Sequence, residues 1–301
     1  MTELAEEFEA QRPHLFGLAY RLLGSASEAE DAVQDAYIRL HGADHAAIRS
    51  LPGWLTKAVT NLCLNRLTSA RARRETYAGP WLPEPVTTRD GTLGPLETAE
   101  QRDSVSIALL TLMERLSPDE RAAFVLREAF AYSHRDIAEI LETSEANARQ
   151  LHRRARQRVG EPATRFRPDP AHWRRVVERF LTASRSGDVT ALVAVLGDNV
   201  TSTTDGGGKI SAARRTVVGR DRVARYLAGA LSRPMPDVRL DLDAEVNGEP
   251  AVLGFVGPRL AGVLFFDTVG DRIDALRIVA NPEKLQFLGR QLSHPVGLPG
   301  S

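Results

Sequence analysis

A run of arginine and amide side chains between Glu145 and Arg154 is the part of the sequence best suited to bind another molecule. Arginine, asparagine and glutamine hydrogen-bond base edges in the major groove of DNA, and further arginines bind phosphates. In a helix, the apolar Ala148, Leu151 and Ala155 would share one side and leave the polar residues on the others. A basic surface helix without a partner is the alternative. The candidate DNA-contacting residues are Ser144, Glu145, Asn147, Arg149, Gln150, Arg153 and Arg154.

Two short helices joined by a tight turn would position this segment. Ser133 begins the first helix, Glu142-Thr143 forms the turn, and Ser144 caps the second helix. Two helices with so short a connection, the second rich in basic residues, indicate a helix-turn-helix. The preceding helix starts at Ser117-Pro118, where Glu120 completes a capping box.

A second basic segment is predicted as a helix from about Pro52 to Arg74. Residues 49–74 carry a net charge of +6 and no acidic residue. Lys57, Asn61 and Asn65 recur at intervals of four, and with Trp54 they could bind single-stranded nucleic acid through hydrogen bonds, stacking and phosphate attraction. For this segment alone, a plain structural helix remains the simpler interpretation.

An acidic helix precedes it, over residues 28–40. Ala29, Ala32, Val33 and Ala36 form its apolar stripe, and Asp31, Gln34 and Asp35 fall outside that stripe. Such a face suits docking to a protein, although a solvated surface explains it equally well when the helix is taken alone.

Charge is distributed in blocks along a chain of 301 residues whose formal net charge is zero. Residues 1–35 carry −6 and residues 84–120 carry −5, whereas residues 149–167 carry +6, like residues 49–74. Blocks of opposite sign favour separate surfaces for separate partners. The overall balance therefore does not exclude binding to nucleic acid.

Composition excludes several other classes of protein. There is no run of about 18 apolar residues and no apolar segment near the N-terminus, so we expect neither a membrane span nor a secretory signal. The single Cys63 forbids an internal disulfide bond and favours a reducing compartment, the cytoplasm. The seven histidines are scattered, so we expect no metal site and no cofactor.

The C-terminal half has a different character, with helices first and strands after, which predicts an α+β domain. Residues 238–246 alternate apolar and polar side chains, as a half-buried strand does. Asn247-Gly248 and Gly270-Asp271 are typical of hairpin turns. With segments 251–256, 260–267 and 272–279 we expect an antiparallel sheet. Residues 75–102 are rich in proline and glycine and predict a partly extended linker.

The order of these motifs resembles one family. HLFGLAYRLLGSASEAEDAVQDAYIRL at 14–40 and GWLTKAVTNLCLNRL at 53–67 resemble region 2 of the extracytoplasmic-function (ECF) sigma factors. LSPDERAAFVLREAFAYSHRDIAEILETSEANARQLHRRARQRV at 116–159 resembles their region 4. The sequence departs from the family at Asn65, where an aspartate is expected, and at Ala148, where valine is commoner.

This resemblance implies roles for the candidate residues. Region 2 would bind the β′ clamp helices of core RNA polymerase through Asp31, Gln34 and Asp35. It would also capture bases of the promoter −10 element, at least one of them flipped out of the stack. Region 4 would read the −35 element and dock on the β flap. The residues assigned to the −10 element are Arg49, Ser50, Trp54, Lys57, Asn61 and Asn65.

The tail also carries a resemblance. VVGRDRVARYLAGAL at 217–231 and the helix-then-sheet order are similar to SnoaL-like domains, in which a curved sheet forms a cone with a pocket. WLPEP, DGGGK and NPEKL match the ECF group with a fused SnoaL-like tail, which implies a built-in regulator and no separate anti-sigma factor. A rigid spacer and a surface turn are the alternatives for the first two strings. The regulatory candidates are Trp81, Leu82, Pro83, Glu84, Pro85, Asp205, Gly206, Gly207, Gly208, Lys209, Asn281, Pro282, Glu283, Lys284 and Leu285.

The domains expected are region 2 at 1–75, the linker at 76–102, region 4 at 103–167 and the SnoaL-like domain at 168–301. The function expected is a sigma factor that is not an enzyme; the alternative is a DNA-binding regulator fused to a small-molecule-binding or enzymatic tail. Catalysis would need a buried acid or base such as Asp241 or Asp243, and His172 and His294 lie at the edges of the tail. A small-molecule ligand of the tail is left open.

Overall fold

The computed structural model describes residues 3–75, 77–88, 91, 93, 99–160, 169–231 and 238–293. The chain divides into two compact units. The first contains the described residues up to 75 and from 86 to 160. The second contains Tyr77–Pro85 together with the described residues from 169 onwards. The segment that precedes residue 86 therefore belongs with the C-terminal part of the chain.

The elements of the first unit's described part are helices. Helices α1 to α3 pack against one another, α6 packs against α7 and α8, and α1 and α3 both contact α6. Its elements are α1 Glu3–Leu23, α2 Ala26–His41, a single 3-10 turn His45–Ala47, α3 Leu51–Glu75, α4 Ala99–Asp103, α5 Ile107–Met113, α6 Pro118–Glu128, α7 His134–Ile140 and α8 Glu145–Val159.

Two fully buried arginines join α1 to α6. Arg21 donates to Ser104 Oγ at 2.7 Å and to the carbonyl oxygen of Leu93 at 3.1 Å. Arg121 donates to the carbonyl oxygen of Arg21 and pairs with Glu114 at 2.5 Å. Burial lowers the pKa of both guanidinium groups to about 9, so both stay charged at neutral pH. Each charge therefore relies on these partners for its solvation.

A glycine makes the contact with Leu93 possible. A Cβ atom at Gly17 would lie 2.1 Å from the carbonyl oxygen of Leu93, which is far inside van der Waals contact. Only glycine lets this carbonyl approach α1 closely enough to accept from Arg21.

The predicted helix starts are confirmed. Ser117 and Glu120 form a complete capping box, and so do Ser133 and Asp136. Ser144 accepts the amide of Asn147 at 3.2 Å at the start of α8. Of the two serines that could cap α2, the structure selects Ser25.

The approach to α6 differs from the prediction. Residues 99–103 form the short helix α4, where a linker was expected, and α5 begins only at Ile107. The buried residues of α5 are Ile107, Ala108, Leu110 and Met113, whereas Leu109 and Leu112 are half-buried. Leucine stands at buried and half-buried positions alike, so apolar periodicity alone does not identify the buried side of this helix.

The second unit is a six-stranded mixed sheet with helices. The strand order is β2-β1-β6-β5-β4-β3. Its elements are α9 Pro170–Ser186, α10 Val189–Val195, β1 Leu196–Asp205, β2 Val217–Val218, α11 Arg220–Leu231, β3 Val238–Val246, β4 Glu249–Val256, β5 Arg259–Val269, β6 Arg272–Val279 and α12 Gln286–Ser293. Helices α9 to α11 enclose the apolar core on one face of the sheet, with Trp173, Phe180 and Phe266 at its centre.

The four predicted strands form the expected antiparallel sheet, in which β3 pairs with β4, β4 with β5 and β5 with β6. One parallel pair, which was not expected, extends the sheet. β1 runs parallel to β6, with Ser202 opposite Leu276 and Asp205 opposite Val279. β1 is absent from the predicted strands, because serine and threonine occupy positions where a buried strand usually carries apolar residues. β2 and α12 are absent from the predicted elements as well.

The predicted strand 238–246 is β3, and Asn247-Gly248 forms its hairpin with positive φ at both residues. The strict alternation is interrupted, since the pairing with β4 shifts register between Asp241 and Ala244. Asp243 is exposed and forms an ion pair with Arg174 of α9. It is therefore not the buried acid or base that catalysis would need.

The contact between Arg121 and Glu114 gives a test of the first unit. We expect Glu114→Ala to destabilise α6 by about 3 kcal/mol, because it leaves the buried Arg121 charge without its carboxylate. Amide hydrogen exchange of α6 in the full chain measures this local unfolding free energy. Glu139→Ala removes the exposed partner of Arg135 and should cost at most about 0.5 kcal/mol. Equal effects of the two substitutions would contradict this account of Arg121.

Candidate nucleic-acid interface and linker contact

Helix α8 presents its polar side chains to solvent. Ala148, Ala155 and Val159 are buried against the rest of the helical unit. Gln150, Arg153 and Arg154 make no hydrogen bond or ion pair with any described residue, so their donors are available to a ligand. The exposed residues are all seven predicted: Ser144, Glu145, Asn147, Arg149, Gln150, Arg153 and Arg154.

Two of these side chains are oriented by neighbours in α8 or in the turn before it. Asn147 donates to Thr143 Oγ1 at 2.9 Å, and Arg149 pairs with Glu145 one helical turn before it. Both pairs are exposed, so exchanging them for contacts to a nucleic acid would cost little. Their side chains are held near the N-terminal half of the helix, which is the half that meets bases in a helix-turn-helix.

The orientation of α8 is held by contacts with α6 and α7. His152 Nε2 lies 2.6 Å from Glu128 Oε1, and this hydrogen bond lowers the pKa of the Glu128 carboxyl. Arg158 pairs with the buried Glu120. The turn before α8 places Glu142 at a φ of 53°, the left-handed conformation that closes the short connection. These contacts fix which side of α8 faces solvent.

The second candidate surface lies on α3 and the residues before it. Arg49 and Ser50 are exposed, and the backbone oxygen of Ser50 accepts the amide of Trp54 at 2.9 Å. Trp54, Lys57, Asn61 and Asn65 follow one side of the helix, and only Asn65 is fully exposed. The side chains of Arg71, Arg73 and Arg74, which complete the basic block, lie outside the described residues.

One of these residues is engaged by the helix-turn-helix. Lys57 Nζ lies 2.9 Å from Glu142 Oε1, in the turn between α7 and α8. This contact lowers the pKa of the Glu142 carboxyl. Next to it, Thr56 Oγ1 lies 3.1 Å from the hydroxyl of Tyr132. Lys57 is therefore partly engaged by Glu142, while 41% of its side chain stays exposed.

The acidic surface of α2 is partly neutralised by α3. Arg66 donates to Asp35 Oδ2 at 2.6 Å and to the carbonyl oxygen of Glu28 at 2.8 Å. Asp31 is 73% exposed and only 4.0 Å from Arg66, and Gln34 is exposed as well. Asp31 and Gln34 are thus more available to a partner than Asp35.

The three motifs of the tail and linker meet around one buried carboxylate. Asp205, at the end of β1, is fully buried and accepts from Lys284 Nζ at 2.7 Å. It also accepts the hydroxyl of Tyr77 at 2.6 Å and the backbone amide of Leu82 at 2.8 Å. We call Tyr77, Trp81, Leu82, Asp205 and Lys284 the clasp.

Lys284 completes the clasp from the opposite side. Its Nζ donates to the carbonyl oxygen of Leu82 at 2.5 Å. The same ammonium group lies 4.2 Å from the ring centre of Trp81 and 4.8 Å from that of Tyr77, within the range of cation–π attraction. Burial, followed by the hydrogen bond to Asp205, raises the pKa of the Tyr77 hydroxyl, so it remains a donor.

The glycines of DGGGK allow the close approach of the other two motifs. Gly207 has a φ of 60°, and a Cβ there would lie 2.3 Å from the side-chain nitrogen of Asn281. Gly208 has a φ of 71°, and its Cβ would lie 2.9 Å from that of Ala78. Both positions therefore require glycine on grounds of conformation and of space.

The other predicted residues of the three motifs surround the clasp. Lys209 pairs with Glu283. Gly206, Pro83, Pro85 and Leu285 are buried, and Glu84 and Pro282 are half-buried. Tyr77 is not among the predicted residues, although an aromatic residue four positions before WLPEP was the available signal.

The described residues show neither a membrane span nor a metal cluster. None of the described helices combines the length and hydropathy needed to cross a membrane. Within the same part of the chain, no three histidine, cysteine or acidic side chains are grouped as metal ligands.

Comparisons with known proteins agree with the arrangement of helices. Residues 8–73 match the family model for sigma-70 region 2, and residues 106–159 match that for sigma-70 region 4. These segments contain α3 and α8, respectively. The second unit lies outside both matches.

Relatives that match over nearly the whole chain include two proteins of Mycobacterium tuberculosis. The ECF RNA polymerase sigma factor SigJ is 42% identical over 95% of this chain and 94% of its own. The probable ECF RNA polymerase sigma factor SigI is 34% identical, and the match covers 95% of this chain and 96% of SigI.

A solved structure agrees with the whole fold. The crystal structure of SigJ superimposes with a TM-score of 0.72 at 37% identity, covering 94% of this chain and 98% of that one. The fold class is confirmed in its main features: two helical sigma domains are followed by an α+β domain with a mixed sheet. A DNA-binding regulator outside the sigma family is not favoured. The chain belongs to the family of ECF RNA polymerase sigma factors.

Proposed function

We propose that this sigma factor recognises a promoter with two separate helices of its first unit. Helix α8 reads the −35 element, with Asn147, Arg149, Gln150 and Arg153 at the bases. Helix α3 and the preceding Arg49 and Ser50 capture the −10 element. The exposure and donor chemistry of α8, anchored by its buried alanines, is the observation that carries this proposal.

Core RNA polymerase is the partner that joins the two surfaces. We infer that α2 docks on the β′ clamp helices through Asp31 and Gln34, with Asp35 contributing only after exchanging Arg66. Region 4 docks on the β flap. The polymerase performs the chemistry, so the sigma factor itself needs no catalytic residue or cofactor, and it acts with the polymerase in the cytoplasm.

The second unit is, in this proposal, a regulator that holds the linker. Asp205 and Lys284 bond both backbone groups of Leu82, and these contacts support a built-in control of the linker. Such a device would remove the need for a separate anti-sigma factor. The exposed ion pair of Asp243 with Arg174 removes one of the two carboxylates considered for catalysis in the second unit.

The first test concerns α8. We expect Arg149→Ala and Arg153→Ala each to weaken binding of the reconstituted holoenzyme to its selected promoter DNA by about 1–3 kcal/mol for each hydrogen-bonded base that the side chain no longer reaches. Fluorescence anisotropy at several salt concentrations separates base contacts, which change sequence preference, from phosphate contacts, which lower the salt slope by roughly one. The control is Arg185→Ala, an exposed arginine of α9. Unchanged affinity and preference in both α8 variants would remove this assignment.

The second test concerns docking. Asp31→Lys should weaken binding to core RNA polymerase about tenfold or more, since it places a positive charge on the proposed contact face. Glu6→Lys makes the same charge change at an exposed position of α1 and should have little effect. Competition between each variant and the wild type for core polymerase gives the ratio of their affinities directly. Equal affinities of the two variants would contradict docking through α2.

The third test concerns the clasp. Lys284→Met leaves Asp205 buried without its cation, so the amide of Leu82 should exchange its hydrogen about 100-fold faster or more. Transcript yield with core polymerase should change as well, while affinity for core persists. Arg272→Met removes an exposed cation from the start of β6 and serves as the control. Identical transcription by the wild type and Lys284→Met would exclude regulation through the clasp.

A further inference from the structure

We propose that the second unit binds a small organic anion, carrying a carboxylate or phosphate group, in an open cleft beside the linker. The cleft lies between residues 77–79 and residues 204–214 and has a volume of about 710 Å³. This volume is within the range of sites that hold small molecules. We call it the anion cleft.

The charge of the lining residues selects an anion. Lys209 and Arg214 line the anion cleft, and no aspartate or glutamate is among its lining residues. Arg214 is exposed and makes no hydrogen bond or ion pair with any described residue. Lys209 pairs with Glu283, but both side chains are at least half exposed, so this pair could be exchanged for a ligand at small cost.

An unsatisfied hydroxyl group gives an independent indication of a ligand. Thr204 lines the anion cleft and is only 8% exposed. Its Oγ1 is buried and has no hydrogen-bond partner among the described residues. Buried polar groups in native proteins are nearly always hydrogen-bonded. A rotation of the Thr204 side chain would bring this hydroxyl to a carboxylate or phosphate oxygen in the cleft, where the exposed Ser211 offers a second donor.

The walls of the anion cleft are held in place without a ligand. On one side Tyr77 is fixed by its hydrogen bond to Asp205, and Gly208 is close to Ala78. On the other side the amide of Ala213 donates to the hydroxyl of Tyr226 in α11 at 3.2 Å. The cleft is therefore largely preformed, which lowers the entropic cost of binding.

The position differs from the apolar core of the second unit. On the inner face of the sheet, Trp173, Phe180 and Phe266 form a packed apolar core with the surrounding helices. An anion placed there would lose its hydration without gaining a cation. The anion cleft offers two cations and solvent access instead.

The anion cleft shares Tyr77 with the clasp, so a bound anion would lie against the segment that the clasp holds. A regulatory effect of the anion rests on the proposed function of the clasp, whereas binding itself does not. The two can fail separately, because binding is measured on the full chain without polymerase or DNA.

The experiment titrates the full-length protein with inorganic phosphate and, in a parallel arm, with acetate, following backbone amide shifts of residues 204–214 by NMR. Chloride is the only other anion in the buffer, and the ionic strength is held constant throughout the titration. We expect saturable binding of at least one probe. The probe that binds more tightly shows whether the natural ligand carries a phosphate or a carboxylate group. The substitution Arg214→Gln should lower the affinity for the preferred anion about fivefold or more.

Two further variants make the result specific. Arg215→Gln removes a neighbouring exposed arginine that does not line the anion cleft, and binding should stay within about twofold of wild type. Thr204→Val keeps the size of the side chain and should weaken binding by removing the buried donor.

Three outcomes would overturn the proposal. These are no saturable shift with either probe at millimolar concentrations, equal reductions of affinity in Arg214→Gln and Arg215→Gln, or full affinity in Thr204→Val. Binding that persists in Lys284→Met, without any effect of the anion on transcription, would support the anion cleft and reject its coupling to the clasp.

Discussion

The buried pair of Asp205 and Lys284 is the interaction on which the second unit's hold on the linker depends. Two opposite charges removed from water lose hydration that their mutual attraction alone rarely restores. Here Tyr77 and the backbone amide of Leu82 donate hydrogen bonds to Asp205. The ammonium group of Lys284 donates to the carbonyl oxygen of Leu82 and lies over the ring of Trp81. The linker is therefore part of the solvation of the pair. Without these contacts, the end of β1 and the loop before α12 would carry two poorly satisfied charges.

In the first unit, arginines occur in two different settings, buried between helices and exposed on α8. Its buried arginines, Arg21 and Arg121, donate hydrogen bonds to carbonyl oxygens, and Arg121 also pairs with Glu114. These contacts join α1 to α6. The arginines of α8 find few such partners and stay in solvent. The same type of side chain thus serves as a structural link where acceptors surround it and stays available to a ligand where they are missing. The zero net charge of the chain is the sum of these separate arrangements.

The features predicted from the sequence are those set by neighbours in the chain. Ser117, Ser133 and Ser144 cap helices because the amides that they satisfy lie three residues away. The polarity of α8 follows from its apolar period. By contrast, β1 is a strand because β6, some 70 residues later, supplies its partner, and no local pattern of serines and threonines reveals that pairing. Tyr77 and the contact of Lys57 with Glu142 were likewise missed, because each joins residues distant in sequence.

The parallel pairing of β1 with β6 sets an order of events during synthesis. Helix α8 ends at Val159, whereas the sheet needs β6 and the clasp needs Lys284, about 125 residues further on. At ribosomal rates of about 5–20 residues per second, this interval lasts roughly 6–25 s. Each nascent chain therefore carries α3 and α8 for several seconds before the sheet of the second unit and the clasp can form. In a cell that makes the protein in bursts, newly translated copies form a brief pool in which the clasp is still absent.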